Sequence, residues 1–207
     1  MFRFLLLSLL IVTGAFFLPR IADLSPVWNL SFEEKTADGA VFHWLTGGRW
    51  NSKLHRRMTP EEYGCLIGLD STVVHGGKYS MVLKSLSGGD WGSARSHREE
   101  FSDTFKTILR QLRGKVVTYS GWIKTQNVSK WAGLWWRVDG ADEVLEFNNM
   151  YDSLVCGTRD WHKYSFTIPV GVAATSFDFG VIMGSEKDGT AWFDDLTIDT
   201  NGVPFMH

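Results

Sequence analysis

SGWIKTQNVSKWAGLWWRVD, residues 120–139, decides how the rest of the chain is read. It holds two alternating runs, Gly121-Trp122-Ile123-Lys124-Thr125 and Leu134-Trp135-Trp136-Arg137-Val138-Asp139. Neighbouring side chains of a strand point to opposite faces. Tyr119, Ile123 and Thr125 therefore share one face and Ser120, Trp122 and Lys124 the other. Likewise Leu134, Trp136 and Val138 oppose Trp135, Arg137 and Asp139. With the polar residues between them read as a turn, the two runs form a hairpin. Its apolar side is expected on a core. Its other side then carries two tryptophans, a lysine, an arginine and an aspartate, which suits a ligand platform on a rigid sheet. The competing reading is a solvated outer face whose tryptophans fill space under a loop.

Outward from this stretch the same periodicity marks strands over 28–33, 40–45, 63–69, 79–85, 144–149, 161–168, 176–184 and 190–199. In the run after the hairpin, Leu145 and Phe147 are expected to face the core and Glu146 and Asn148 to share the side of Trp135. One helix is predicted over 102–112. Ser102 or Asp103 caps it, Phe105, Ile108, Leu109 and Leu112 make its apolar stripe, and Gly114 ends it. The segment 46–62 reads as a long loop. A Gly-rich loop at 87–92 carries Trp91 and lacks the lysine of a phosphate loop. About ten strands with turn signals between them predict an all-β antiparallel sandwich.

The totals narrow the function classes. The 207 residues suit one domain over 23–207, behind a segment at 1–22. That segment has a single early cation, Arg3, and then an almost unbroken apolar run to Leu18, the pattern of an export signal. The alternative is an uncleaved, rather short membrane anchor. Secretion or a periplasmic location is expected, with membrane contact only if the segment is retained. A net charge of -2 provides no footprint for nucleic acid. Cys65 and Cys156 either form a bridge or stand as independent thiols. The six histidines show no metal spacing and flank no GxSxG motif. A non-catalytic protein is expected.

Asn29-Leu30-Ser31-Phe32-Glu33, Val74-His75-Gly76-Gly77-Lys78-Tyr79-Ser80 and Trp192-Phe193-Asp194-Asp195-Leu196 resemble the frame of galactose-binding-like jelly rolls. Carbohydrate-binding modules of glycoside hydrolases share this frame. The blocks Trp131 to Gly140, Phe147-Asn148-Asn149-Met150 and Gly157-Thr158-Arg159-Asp160-Trp161 are similar to an accessory jelly roll. That domain is found beside bacterial C-terminal-processing-type serine peptidases, erythromycin-esterase-like enzymes or helix-turn-helix regulators. The resemblance runs from about Asn29 to Asp199. It implies a jelly-roll sandwich. No catalytic or DNA-binding domain is expected beside it here, so no activity carries over from an attached enzyme.

Two sites follow. The open face is expected to hold a carbohydrate or other polyhydroxylated ligand on Trp122, Lys124, Trp135, Arg137, Glu146 and Asn148. Gly180 opposite leaves room, and Trp91 and Trp131 contribute from loop ends. The alternative use of this face is a protein-interaction or structural module without a small ligand. The resemblance also implies a structural calcium where first and last strands meet, with Glu33, Asp194 and Asp195 as ligands. The competing role for these carboxylates is to accept backbone hydrogen bonds from a turn.

Overall fold

The computed structural model describes residues 28–46, 50–86, 91–96, 102–153, 155–186, 188–200 and 203–206. The segment expected to direct export, 1–22, lies outside the described residues. In chain order the elements are β1 (Trp44–Leu45), β2 (Trp50–Asn51), β3 (Arg56–Arg57), α1 (Pro60–Tyr63), β4 (Cys65–Asp70), β5 (Ser80–Ser85), β6 (Trp91–Ser96), α2 (Asp103–Leu112), β7 (Lys115–Asp139), β8 (Val144–Asn148), β9 (Val155–Val170), β10 (Ser176–Gly184), β11 (Thr190–Thr200) and β12 (Val203–Met206). Among the described residues no helix is long and apolar enough to cross a membrane.

Ten strands share one antiparallel ladder that curls over on itself. Its first layer runs β4–β5–β11–β7–β9. Its second runs β1–β6–β10–β7–β8. The result is the jelly-roll β-sandwich expected from the sequence. Strand β7 belongs to both layers, and this overturns the hairpin. Its 25 residues form one continuous strand. Residues up to Gln126 pair with β11, Trp131–Asp139 pair with β10, and β9 follows the strand as far as Ala132. Between them the register slips repeatedly and Asn127 takes a positive φ of 53°. Such irregularities bend a strand sharply. The polar residues that read as a turn are the rim where the strand passes from layer to layer.

The core lies between the layers. Tyr119, Ile123, Met81, Leu83 and Phe193 reach in from the first, and Leu134, Trp136, Val138, Phe177, Phe179 and Val181 from the second. Trp136 stacks with Phe177 at 5.2 Å and with Phe179 at 5.1 Å, while Tyr119 meets Trp136 edge-on at 5.6 Å. Losing one such ring costs about 3–5 kcal/mol. Helix α2 forms as predicted. Ser102 Oγ accepts the Phe105 N–H at 3.1 Å, and Phe105, Ile108, Leu109 and Leu112 are buried.

The N-terminal strands expected at 28–33 and 40–45 shrink to the bridge Lys35–Val41 and the two-residue β1. The cause is local: Asn29 Nδ2 donates to the Glu34 and Phe42 carbonyls, and its Oδ1 accepts the Glu34 N–H. These bonds take backbone groups that a ladder would use. Trp28, Phe32 and Trp44 still enter the core. Within 46–62, the short β2–β3 pair and α1 replace the expected loop. Thr59 and Glu62 make a capping box on α1. Cys65 and Cys156 are both free thiols, and burial pushes Cys65 up to about 12.

Candidate functional site

Within each run the side chains fall as their alternation predicts, but the two outer runs do not meet. Opposed residues of an antiparallel pair point to the same side. Trp122 and Lys124 oppose Asp194 and Trp192, on the outer face of the first layer. Trp135 and Arg137 oppose Gly180 and Asp178, on the outer face of the second. The expected platform is split between opposite sides of the sandwich, because the chain crosses over where a hairpin would have folded back.

On the second layer Trp135 lies flat on Gly180, where a Cβ would stand 2.7 Å from its Nε1. That nitrogen donates to Ser93 Oγ at 3.0 Å, and only 9% of the residue is exposed. The space expected for a ligand over Gly180 is filled by the indole itself. Trp131 lies in the same way on Gly184 and meets Tyr151 edge-on at 5.2 Å. Arg137 turns along its own strand to Asp139, at 2.8 Å. Glu146 and Asn148 oppose Val138 and Trp136, so they point away from Trp135, and the exposed Phe147 takes the side of Arg137. This reverses the sequence expectation for Glu146, Phe147 and Asn148, while Leu145, at the register shift beside Val138 and Asp139, packs against the core as expected. Trp91 opens β6; its side chain lies outside the described residues.

The first layer's outer face is the richer one. Asp194 and Asp195 are adjacent, yet a bulge in β11 after Asp194 and a positive φ of 46° at Asp195 aim both at the turn 75–78. Asp194 Oδ2 accepts the His75 and Gly76 amides at 2.9 and 3.1 Å, and its Oδ1 accepts the Asp195 amide at 2.8 Å. Asp195 Oδ2 stands 2.7 Å from His75 Nδ1. Glu33 receives the Lys78 amide at 2.9 and 3.0 Å and the Tyr79 amide at 3.2 Å. Gly77 passes so close that a Cβ would lie 2.1 Å from Glu33 Oε1, and its φ is +62°. The three carboxylates expected to hold calcium thus converge on one turn, as acceptors of N–H bonds. A hard cation needs oxygens turned toward it. Here amides bond Asp194 and Glu33, and the His75 imidazole meets Asp195 Oδ2, so the three carboxylates anchor the turn; among the described residues no three His, Cys, Asp or Glu side chains cluster as metal ligands. Desolvation, with the charge of Asp195 adding to it, pushes the buried Asp194 up to about 6 against the pull of the three amides.

The anchored turn seats His75 on Trp122, ring centroids 3.9 Å apart, with Trp161 edge-on to the imidazole at 5.7 Å. Lys124 Nζ donates to Asp160 Oδ1 at 2.6 Å, and the Trp161 amide donates to the same oxygen at 2.9 Å. That ammonium is the chief reason the Asp160 carboxyl stays below its usual range. Beside these groups Arg159, Asp160, Trp161, His162 and Tyr164 line a cleft of about 380 Å³. Across the same face a second cleft of about 410 Å³ has Trp192 and Val82 among its walls, with Lys84, Gln126, Asp70 and Thr190. Trp192 Nε1 donates to Asp70 Oδ2 at 2.9 Å. Burial alone would raise Asp70, but the bonds from Thr72, Trp192 and Val73 together hold it low. Trp192 opposes Lys124, so the two clefts are neighbours on one sheet face. Trp161, Trp192, Lys84 and Gln126 were missed as site residues in the sequence. The available signal was Trp192 and Lys84, each on the outward phase of its own alternating run.

No protein-family model matches the chain. It is 33% identical over 139 residues to a Bacillus subtilis (strain 168) protein described as an uncharacterized HTH-type transcriptional regulator, YbfP. The match covers 64% of this chain, and the chain spans 43% of that curated relative. Solved structures similar to it include the N-terminal CBM22-1-CBM22-2 tandem domain of Paenibacillus barcinonensis Xyn10C. Identity there is 15% and the TM-score 0.51, over 86% of this chain and 45% of that one. A CBM22-1 xylan-binding domain of the same Xyn10C also matches, at 17% identity and TM-score 0.48, over 82% of this chain and 90% of that one. Both of these are carbohydrate-binding modules, and at these identities the likeness concerns the β-sandwich fold alone.

Proposed function

We propose that this chain is an exported, non-catalytic module that binds a carbohydrate or other polyhydroxylated ligand. Its ligand face is the outer face of the first layer. The observation that carries this reading is the half-exposed Trp161 in one shallow cleft, joined through Lys124 to a second cleft on the same sheet face where the buried Trp192 shows only an edge. Indoles stack on the apolar faces of sugar rings, and amide, hydroxyl and ammonium groups bond the hydroxyls. Gln126, Thr190, Lys84 and His162 supply such groups. His75 covers one face of Trp122, so Trp122 supports the site from beneath. Export rests on the apolar run after Arg3.

A glycan-array screen followed by calorimetry on the purified chain tests the proposal. Binding that Trp161→Ala removes, with an unchanged melting temperature, supports it. Binding that survives Trp161→Ala and Lys124→Ala sinks this face as the site. The second reading, a protein-contact module, draws on the other layer. There Phe147 and Tyr151 are 56% and 58% exposed and help line a cleft of about 190 Å³. It predicts a partner lost in Phe147→Ala and kept in Trp161→Ala.

A further inference from the structure

We infer that the cleft between β8 and β9 is a second binding site, for an alkylammonium that carries a hydroxyl, as an amino alcohol or an amino sugar does. This goes beyond the carbohydrate reading, which uses the outer face of the first layer and other residues. The cleft of about 190 Å³ lies at a mouth of the sandwich. Asn148 opposes the core residue Trp136 on one side of the mouth, and Phe166 opposes the core residue Tyr119 on the other, so both lean inward from their strands. Met150 anchors the wall between them. Its side chain is buried, and its Sδ accepts the Leu134 N–H at 3.3 Å, an amide just beyond the last rung of β8. Its positive φ of 56° ends the extended run, and the short turn that follows brings Tyr151 and Asp152 to the cleft.

The lining is aromatic and carries one charge. Phe147 and Tyr151 are both more than half exposed, and Phe166 adds a third ring. Asp152 is the only charged side chain among the lining residues, and it has no protein partner among the described residues. The chain around it has the same sign. From Val138 to Thr158 there are five acids and no Lys, Arg or His. Among the described residues only Asp139 of these is ion-paired, with Arg137, the cation opposite Phe147. Arg113, bonded to the Ala174 carbonyl, and Lys115, opposite Val170, stand toward the Val144 end of β8. Lys163 opposes Trp122 and points to the outer face of the first layer. A cation is drawn to the faces of aromatic rings, and a carboxylate beside them adds to the attraction. The two amides define the rest of the ligand. Asn148 Oδ1 accepts the Met150 N–H at 2.9 Å, and Asn149 Oδ1 accepts the Tyr151 N–H at 3.1 Å. With the oxygens so engaged, the Nδ2 groups have no partner among the described residues and remain as donors to a hydroxyl oxygen.

Choline and its neutral isostere, in which a tert-butyl group replaces the trimethylammonium, share a shape and differ in charge. Glucosamine and N-acetylglucosamine make the matching sugar pair. An NMR titration of the backbone amides of the full chain both measures binding and locates it. Choline or glucosamine is expected to shift the Phe147–Ser153 amides and to bind about three- to thirtyfold tighter than its neutral counterpart. Whichever cation binds tighter identifies the source of the ammonium. Phe147→Ala, at an exposed ring, is expected to weaken that cation about threefold or more. Asp152→Asn is expected to weaken it about two- to fivefold and to leave the neutral counterpart unchanged. Trp161→Ala is expected to change neither. Neutral counterparts that bind as well as the cations, shifts confined to residues away from this cleft, or cation binding untouched by both Phe147→Ala and Asp152→Asn overturns the inference. So does the absence of binding by either cation. The carbohydrate reading fails or stands separately, on glycan binding that Trp161→Ala removes and Phe147→Ala leaves intact.

Discussion

The imidazole of His75 lies on the indole of Trp122, centroids 3.9 Å apart and planes 19° from parallel. The contact joins a turn between β4 and β5 to the middle of β7. It is held from behind by Asp194, Asp195 and Glu33, which bond the turn's amides and the imidazole. The corner of the candidate site is thus built by acids that never face the ligand.

The two layers make different use of tryptophan, and binding separates them. Trp161→Ala, in the open cleft, is expected to weaken glycan binding by about 10–100-fold, the effect of a central aromatic anchor. Trp135→Ala, on the other side, leaves a hole over Gly180. It is expected to cost about 3–5 kcal/mol of stability and to leave the affinity of the folded protein unchanged. Calorimetric titration beside a urea melt checks both halves. A Trp135 variant that loses binding while fully folded would move the site to the second layer.

Asp194 gives the stability a definite pH dependence. Its folded value of about 6 lies above the ordinary 3.8. Between these values the folded chain holds a proton that the unfolded chain has released. Stability from this group therefore falls as pH rises through the window, by up to about 3 kcal/mol, and the penalty is complete above it. Asp194→Asn has no such slope and lacks one acceptor. Its deficit relative to wild type is expected to be larger at pH 4.5 than at pH 7. Titrations elsewhere, such as Glu62 held to about 2 chiefly by its hydrogen bonds from Arg56, are common to both proteins and cancel. Urea melts of both proteins at both pH values measure it. Equal deficits refute the assignment.

Chelation probes the other role once expected of these carboxylates. With Asp194 and Glu33 bonded to amides and Asp195 to the His75 imidazole, a metal chelator is expected to leave the melting temperature unchanged. Glu33→Gln, which keeps the shape but puts a donor against the Lys78 and Tyr79 amides, is expected to lower stability by about 1–3 kcal/mol. Differential scanning fluorimetry with and without chelator reads both. A chelator-induced drop of several degrees restored by calcium would return the site to the metal.

Gly180 is a packing requirement. A Cβ there would stand 2.1 Å from the Ala94 carbonyl oxygen, a backbone atom, besides striking Trp135. Gly180→Ala is expected to cost about 1–3 kcal/mol through forced shifts, a fall of several degrees in melting temperature for a chain of this size. Gly68, with nothing within 4 Å of its added Cβ, is the control on the first layer.

Much of this was legible in the sequence. Alternation placed Tyr119, Ile123, Trp136 and Val138 in the core, the i, i+3, i+4 stripe placed α2, and the spacing of strands and turns indicated a sandwich. These are local patterns, set by the two-residue period of a strand and the 3.6-residue period of a helix. Where a single irregular residue broke the period, the reading failed. Asn29 and Phe32, at positive φ, ended the first expected strand, and Asp195 turned to the same side as Asp194.

The sequence by itself determined which side chains of each strand point inward and which outward, because sterics alone fix that alternation. Only the tertiary structure decided where those outward faces lie. A hairpin would have laid Trp122 and Trp135 side by side; a strand that changes partners at Asn127 carries them to opposite sides of the molecule. That choice depends on which distant strands, β9 and β11 or β8 and β10, hydrogen-bond each half of β7, and pairings so far apart along the chain leave no period in it.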